Sequence, residues 1–488
     1  MPATQTSDLR PQVSPNSPKA VIWVVNPFDQ LPNETDVPRR YWPIARILAE
    51  KGHNVIWWSS DFSHLTKTKR AACRDTDGFS IRLIQTDPYS KNISFARLRN
   101  HRQFAQGFKT MAREAIRSGE LAPPDRIVVS TPPLGVAENA FIIRDYINSK
   151  LSARLNSTTT SHCEVVVDIK DAWPETFYQA IPKSLRKILG PILFSLLHRS
   201  AKHAYQGADK ISAVGKSYLD LAQRYLGDQS SPINNQSSQA KPVKPMHLCY
   251  HGTDLNRFEK NMGGATFESS ATSTPNKQQT TNNPKPLKAV YLGSMGSGYD
   301  LMTIIEVAAR WKAENIFPFQ IHFAGSGSQL EALKAESRKW QLIEAEPSNL
   351  ASLTSTPDQF STANCARIVF HGYIGKAAIT KLCQEADLAL VPNRPDSLVA
   401  CPAKICELAA AQLPMLSCLE GELWKLLSQW SAGSEYKEGD SASLHAAFEK
   451  YSNNLVLLKK HSLNARKMAE ALFDRSQTYT SLAEFIIS

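Results

Sequence analysis

Lys404 and Glu407 are the residues whose types and spacing promise the most chemistry in this chain. They stand three apart, so on a helix they share one face of the first turns. Before them runs Asp387-Leu388-Ala389-Leu390-Val391-Pro392, which reads as a buried strand. A loop through Ser397 then leads into Cys401-Pro402-Ala403-Lys404-Ile405-Cys406-Glu407. Pro402 suits the first helical position, and the free N–H groups of a helix start attract phosphate. A cation for a diphosphate beside a carboxylate for a ribose diol is what a nucleotide-sugar site requires. A surface ion pair is the competing reading. The place of the pair at the carboxyl end of a buried strand favours the ligand.

Other groups are less specific. Gly293-Ser294-Met295-Gly296-Ser297-Gly298 follows a strand and precedes a helix, where glycines let backbone N–H groups approach phosphate. A tight structural turn explains it equally well, as it does Gly325-Ser326-Gly327-Ser328. The first lacks the G-x-G-x-x-G spacing, and no acidic residue closes the next strand, which disfavours NAD. Asp168-Ile169-Lys170-Asp171-Ala172-Trp173-Pro174-Glu175 leaves another strand. It is either a cleft wall or a loop whose Asp caps the next helix. His64, Lys67, Lys69 and Arg70 leave the strand at 54–58 and could clamp a phosphate, although solvated charge is the commoner explanation of such a run. From Pro182 to His203 apolar Leu189, Ile192, Leu193, Leu196 and Leu197 oppose Lys183, Arg186, Lys187, Arg199 and Lys202. A core-facing helix is the simpler reading, and contact with a membrane face is the sharper one.

Buried apolar runs place these groups. Strands are expected at 20–25, 54–58, 81–84, 126–129 and 164–167, with helices at 39–51, 94–117 and 182–205, the last breaking at Gly190-Pro191. The pattern restarts with strands at 287–293, 319–325, 367–372 and 387–392 and a helix at 300–313. Such alternation means parallel α/β sheets, which bind ligands at the carboxyl ends of their strands. The expected division is a polar tail at 1–19, a first domain at 20–258, a linker at 259–287, a second domain at 288–455 and C-terminal helices at 456–488 that cross back to the first domain. Low-complexity insertions fall at 227–244, 263–285 and 344–364.

Two such domains fit 488 residues. The net charge is +11, and the stretch 37–117 holds sixteen basic against six acidic residues, an excess of +10. That bias points to an anionic partner of the first domain. The eight cysteines form no CxxC pair and read as scattered reduced thiols of a cytoplasmic protein. The first 19 residues carry no apolar segment of a signal peptide, and no run reaches the ~20 apolar residues of a spanning helix.

With these segments together, the chain resembles the retaining glycosyltransferases of family four, which have the two-domain GT-B fold, and among them the bacterial enzymes of surface-polysaccharide and O-antigen synthesis. Val290-Tyr291-Leu292-Gly293, Phe323-Ala324-Gly325-Ser326-Gly327, Phe370-His371-Gly372, the strand at 387–392 and Pro402-Ala403-Lys404-Ile405-Cys406-Glu407 carry the general pattern. His251-Gly252-Thr253-Asp254 resembles the turn between domains. Asn26-Pro27, the Arg39-Arg40 helix start, Gly52-His53, Trp57 to His64 with Lys67 and Arg70, and Asp171-Ala172-Trp173-Pro174-Glu175 resemble that subgroup.

The resemblance implies two doubly wound Rossmann-like domains facing a central cleft. It implies donor binding by Gly293, Ser294, Met295, Gly296, Gly325, Gly327, Tyr373, Lys404 and Glu407, with Glu407 on the ribose and Lys404 on the diphosphate. Lys404, Asp171 and Glu175 become the catalytic candidates, and Arg39, Arg40, His64, Lys67, Arg70 and Trp173 the acceptor side. No metal or other cofactor is expected, since cations and helix N-termini replace one. Val399 stands at the first of the family's two glutamate positions, Ser294, Met295 and Gly298 replace its usual Arg and Lys, and Gln412 replaces a common Gly.

The expected reaction is transfer, with retention, of a hexose or N-acetylhexosamine from a nucleotide sugar, with UDP the expected nucleotide, to a lipid-linked or polysaccharide acceptor. An anionic inner membrane face is a further expected contact. A nucleotide-sugar epimerase of the same fold is the alternative. Nucleic-acid binding is disfavoured, because the basic half lacks the aromatic and basic interleaving of single-strand binders.

Overall fold

The computed structural model describes residues 20–35, 39–71, 78–91, 94–154, 162–227, 243–259, 286–343 and 367–488. The tail and most of the three low-complexity insertions lie outside these residues. The first half folds around a seven-stranded parallel sheet: β1 (Val21–Val25), β2 (Asn54–Ser60), β3 (Ser80–Ile84), β4 (Arg126–Thr131), β5 (Glu164–Ile169), β6 (Lys210–Ala213) and β7 (Met246–Leu248). Its order is β3-β2-β1-β4-β5-β6-β7. A six-stranded parallel sheet follows, made of β8 (Leu287–Leu292), β9 (Phe319–Ala324), β10 (Ile368–Gly372), β11 (Leu388–Val391), β12 (Met415–Ser417) and β13 (Gly433–Glu435), in the order β10-β9-β8-β11-β12-β13. Both sheets reverse direction beside their first strand, between β1 and β4 and between β8 and β11. Ligand crevices of doubly wound sheets open at that point.

Burial on both faces accounts for the apolar strands. Trp23, Val25, Trp58 and Ile127 face one helix layer with Phe104 and Phe108, whereas Ile22, Val24 and Trp57 face the other. Each such side chain contributes about 1.5–3 kcal/mol when fully buried. The helices on the first sheet are α1 (Tyr41–Glu50), α2 (Phe95–Arg117), α3 (Leu134–Arg154), α4 (Arg186–Leu193), α5 (Ser195–Gly207) and α6 (Lys216–Leu226). Ser94 caps α2 by accepting from the Arg97 N–H.

The break expected at Gly190-Pro191 comes later. Pro191 lies inside α4, and the chain turns at Phe194 before α5. The apolar side of this segment is not core-facing: Ile188, Leu189, Ile192, Leu193 and Leu196 are all exposed, Leu196 at 79%. α5 instead buries Ala201, Ala204 and Tyr205.

The second sheet carries α7 (Met302–Ala313), α8 (Leu330–Lys339), α9 (Lys376–Glu385), α10 (Lys404–Ala410), α11 (Glu422–Trp430), α12 (Ser441–Ser452) and α13 (Leu455–Leu472). The last helix, α14 (Arg475–Ile487), puts Tyr479, Leu482, Ala483 and Ile486 into the core beside α1 and β1. The chain thus passes between the domains twice. The two crossings pair side by side, Thr253 N–H to Phe473 O at 2.8 Å and Arg475 N–H to Thr253 O at 3.0 Å. No helix among the described residues is long and apolar enough to cross a membrane.

Candidate active site

α10 begins where the loop from β11 returns to the sheet, and its first turn abuts the crossing between domains. A turn opens at Pro402, whose carbonyl accepts from the Ile405 N–H at 3.0 Å. Cys406 Sγ donates to the His251 carbonyl at 2.9 Å. Lys404 and Glu407 come together as the spacing requires, Nζ to Oε2 at 3.4 Å. The sequence did not show the third member: Arg257, from the crossing, donates to Glu407 Oε1 at 3.0 Å and to Thr380 Oγ1 at 2.9 Å. A carboxylate has about four acceptor positions, so two cations leave Glu407 able to accept from hydroxyls as well.

The Gly293 loop and the Gly325 loop pack directly on each other. A Cβ on Gly325 would sit 1.8 Å from Gly293 O, and one on Gly327 would sit 2.5 Å from the Met295 carbonyl carbon. Both glycines are there for loop–loop approach, and phosphate contact does not explain them. Gly293 N–H is spent on Ala324 O and Met295 N–H on Ser326 O. Met295 departs from its expected donor role, since its side chain is fully buried in the second domain's core. Among the described residues, the amides of Ser294 and Gly296 have no backbone acceptor. Tyr373 is 88% exposed beyond the edge strand β10.

In the first domain three acceptor-side and catalytic expectations are corrected. Arg40 is fully enclosed: it holds Asp168 at 2.7 and 2.9 Å and donates to the Cys249 carbonyl at 2.9 Å. Asp168 also accepts from Tyr41 and Ser212, each at 2.6 Å. Burial opposes its charge, but Arg40 and these donors outweigh it and hold its pKa at about 2. Arg70 is likewise inward, its side chain 1% exposed, paired with Glu34 at 3.0 Å and bonded to Ser59 and to the Asp29 carbonyl. Glu175 turns into the helix layer, where it accepts from Tyr225 at 2.9 Å. These three groups hold the fold together and do not face the cleft.

Asp171 lies in the loop after β5 but, against the loop reading, does not cap the short helical turn at Glu175–Ala180, whose start carries no side-chain cap. It accepts from the Ala172 N–H at 2.8 Å and Thr176 at 3.2 Å. Burial nonetheless raises its pKa, against those bonds and the pull of Arg97. Trp173 lies 5.4 Å ring to ring from His101 and 5.6 Å from the Arg97 guanidinium. Arg39 is exposed. His64 Nδ1 meets the Tyr89 hydroxyl and lies 3.4 Å from Lys67 Nζ. Burial first, then Lys67, Arg97, Arg39 and Arg70, push the His64 pKa down to about 4. Sequence reasoning missed Arg97, His101 and Tyr89. The i,i+4 spacing of Arg97 and His101 on α2 was the available signal.

The domains touch along the loop that holds Val399. Tyr218 donates to Leu398 O at 3.4 Å and accepts from the Ala400 N–H at 3.3 Å. Asp396 pairs with Arg186 at 3.4 Å and Lys183 at 3.5 Å. Glu422 of α11 accepts from Lys216 N–H, Ser217 N–H and Tyr250 at 2.7–2.9 Å.

No family model and no curated protein sequence matches the chain. Solved structures do. Sucrose-phosphate synthase from Thermosynechococcus elongatus superposes with a TM-score of 0.61 at 12% identity, over 96% of this chain and 98% of that one. The fold is GT-B. WaaG, a glycosyltransferase of lipopolysaccharide biosynthesis, has a TM-score of 0.56 at 12% identity, covering 96% and 99% of the two chains. Anabaena HepE, solved in complex with UDP and glucose, has a TM-score of 0.55 at 13% identity, covering 96% and 100%.

Proposed function

We propose that this protein is a metal-independent, retaining glycosyltransferase that takes a hexose or N-acetylhexosamine from a nucleotide sugar, with UDP the expected nucleotide. The observation that carries this reading is the Arg257–Glu407–Lys404 cluster at the carboxyl end of β11, where a doubly wound sheet binds its ligand. Glu407 is the acceptor for two ribose hydroxyls. Lys404 is close to the diphosphate, which gains charge as the glycosidic bond breaks, so the ammonium favours the transition state over the ground state. The likeness to transferases, one of them solved with UDP and glucose, supports the same assignment. Incubation with a panel of nucleotide sugars, read by mass spectrometry, tests it.

The acceptor is lipid-linked or a polysaccharide, presented at the anionic inner face of a membrane. Exposed Ile188, Ile192, Leu193 and Leu196 form an apolar strip on α4 and α5, beside exposed Lys187, Arg199 and Lys202. Apolar side chains between cations match an acidic bilayer, where each Lys or Arg contributes about 1 kcal/mol near the surface.

A further inference from the structure

Phe28 is the centre of a second cluster, separate from the donor side. Its ring lies 5.4 Å from that of His64 and 5.3 Å from that of His101, and the Arg97 guanidinium stands 5.9 Å from it. Lys67 Nζ is 4.5 Å from the centre of the Tyr89 ring. Trp173, buried, touches both His101 and Arg97. The contributors follow β1 (Phe28), β2 (His64, Lys67), β3 (Tyr89) and β5 (Trp173), with Arg97 and His101 on the first turns of α2. All gather at the carboxyl edge of the first sheet, the edge at which such sheets take ligands.

The hydrogen bonds fix which nitrogens can donate. His64 Nδ1 lies against the Tyr89 hydroxyl and the Lys67 ammonium, so the neutral ring carries its proton on Nε2. His101 Nε2 accepts from Arg97 Nε at 3.3 Å, which places its proton on Nδ1. His101 is 5% exposed, and Nδ1 is a buried donor with no hydrogen-bond partner. Such a group is unfavourable until an acceptor reaches it.

The charge is one-sided. Asp171, the carboxyl that faces Arg97, already accepts from Ala172 and Thr176, and burial raises its pKa. Burial and Arg97 together lower the pKa of Lys67. Burial lowers that of Arg97, with Tyr89 and Asp171 opposing. Burial, Arg97 and His64 hold His101 at about 3. Cations crowded in this way gain from an arriving anion, and aromatic walls suit an apolar or sugar body behind it.

We infer that the cluster is a recognition pocket for a phosphate or diphosphate carried by the acceptor, with Lys67 and Arg97 pairing its oxygens and Phe28, Tyr89 and Trp173 packing against the attached body. This rests on the reading of the first domain as the acceptor side. The group can be borne by a lipid or by a sugar, and the probes separate the two.

The test is calorimetry on the full chain with farnesyl diphosphate, glucose 1-phosphate and inorganic phosphate, with UDP measured in parallel. An organic phosphate should bind at least tenfold tighter than inorganic phosphate, farnesyl diphosphate leading for a lipid source and glucose 1-phosphate for a sugar. Lys67→Asn and Arg97→Gln should each weaken it at least tenfold and leave UDP unchanged, and Arg97→Lys should restore part of the loss. Histidine-ring NMR should show the His64 and His101 pKa values rising on binding, since a dianion stabilises both imidazoliums. Equal affinity in all variants, unmoved histidines, or no preference over inorganic phosphate would overturn the pocket. If UDP binds while the phosphates do not, the pocket fails and the transferase reading stands. If the phosphates bind while UDP does not, the transferase reading fails.

Discussion

Arg257 and Glu407 meet at 3.0 Å, one on the crossing between domains and the other in the first turn of α10. Both side chains are largely enclosed, at 13% and 21% exposure. Truncating Glu407 would strand a guanidinium in a partly buried place, so affinity and stability would fall together. Glu407→Gln keeps the volume and an acceptor oxygen while removing the charge. It should weaken UDP binding at least tenfold, since bonds to a charged acceptor contribute about 1.5–3 kcal/mol each, with a melting temperature within a few degrees of the parent. Unchanged UDP affinity would remove Glu407 from the site.

The Glu422 carboxylate acts across the domain boundary. It caps the start of α6 through the Lys216 and Ser217 amides and also holds the Tyr250 hydroxyl. Loss of a cap of this kind costs about 0.5–2 kcal/mol. Glu422→Ala should let the domains part, seen in solution X-ray scattering as a larger radius of gyration that donor addition reduces. A radius equal to the parent's with and without donor would show that the contact does not hold the domains.

The strands were legible where burial on both faces writes an apolar run, as at 21–25 in β1, 165–167 in β5 and 289–292 in β8. β6 was not, because Lys210 and Ser212 interrupt it. Lys210 pairs with Glu164, and the Ser212 hydroxyl donates to Asp168, partners 46 and 44 residues away. β12 and β13 have three residues each, too few to show a period. Lys404 and Glu407 were legible because their relation is local. Arg257, 150 residues from Glu407, was not. Arg40 and Arg70 read as cleft cations because nothing local shows a buried partner; Asp168 and the Asp29 carbonyl supply one only after folding.

Stability should fall in acid through Asp168. Its folded pKa, about 2, lies below the ordinary 3.8, so the ionised form is the one the fold stabilises. The contribution, on the order of 2 kcal/mol, is full above about pH 4 and is lost as the pH falls through 2. Asp168→Asn leaves Arg40 buried without its counter-charge and should cost about 3–5 kcal/mol at neutral pH. Urea unfolding from pH 7 to 2.5 should show the gap between parent and variant narrowing below pH 4. A constant gap would contradict this.

The α4–α5 strip gives a membrane prediction. The protein should float with vesicles containing acidic lipid and not with neutral ones, less so at high salt. Ile192→Glu together with Leu196→Glu should abolish flotation without changing the melting temperature, since both side chains are exposed. Flotation that ignores lipid charge, or a strip buried instead in a dimer on size-exclusion chromatography, would oppose it.

The central claim is sugar transfer from a nucleotide donor, and mass spectrometry of the protein incubated with a panel of nucleotide sugars tests it most directly. One donor should lose its sugar, by transfer or slow hydrolysis, with turnover unaffected by EDTA. Lys404→Ala should reduce turnover by more than it raises the donor KM, because the ammonium acts most on the departing diphosphate. Intact donors throughout, interconversion of one sugar into another, or strict dependence on added Mg²⁺ or Mn²⁺ would contradict the account.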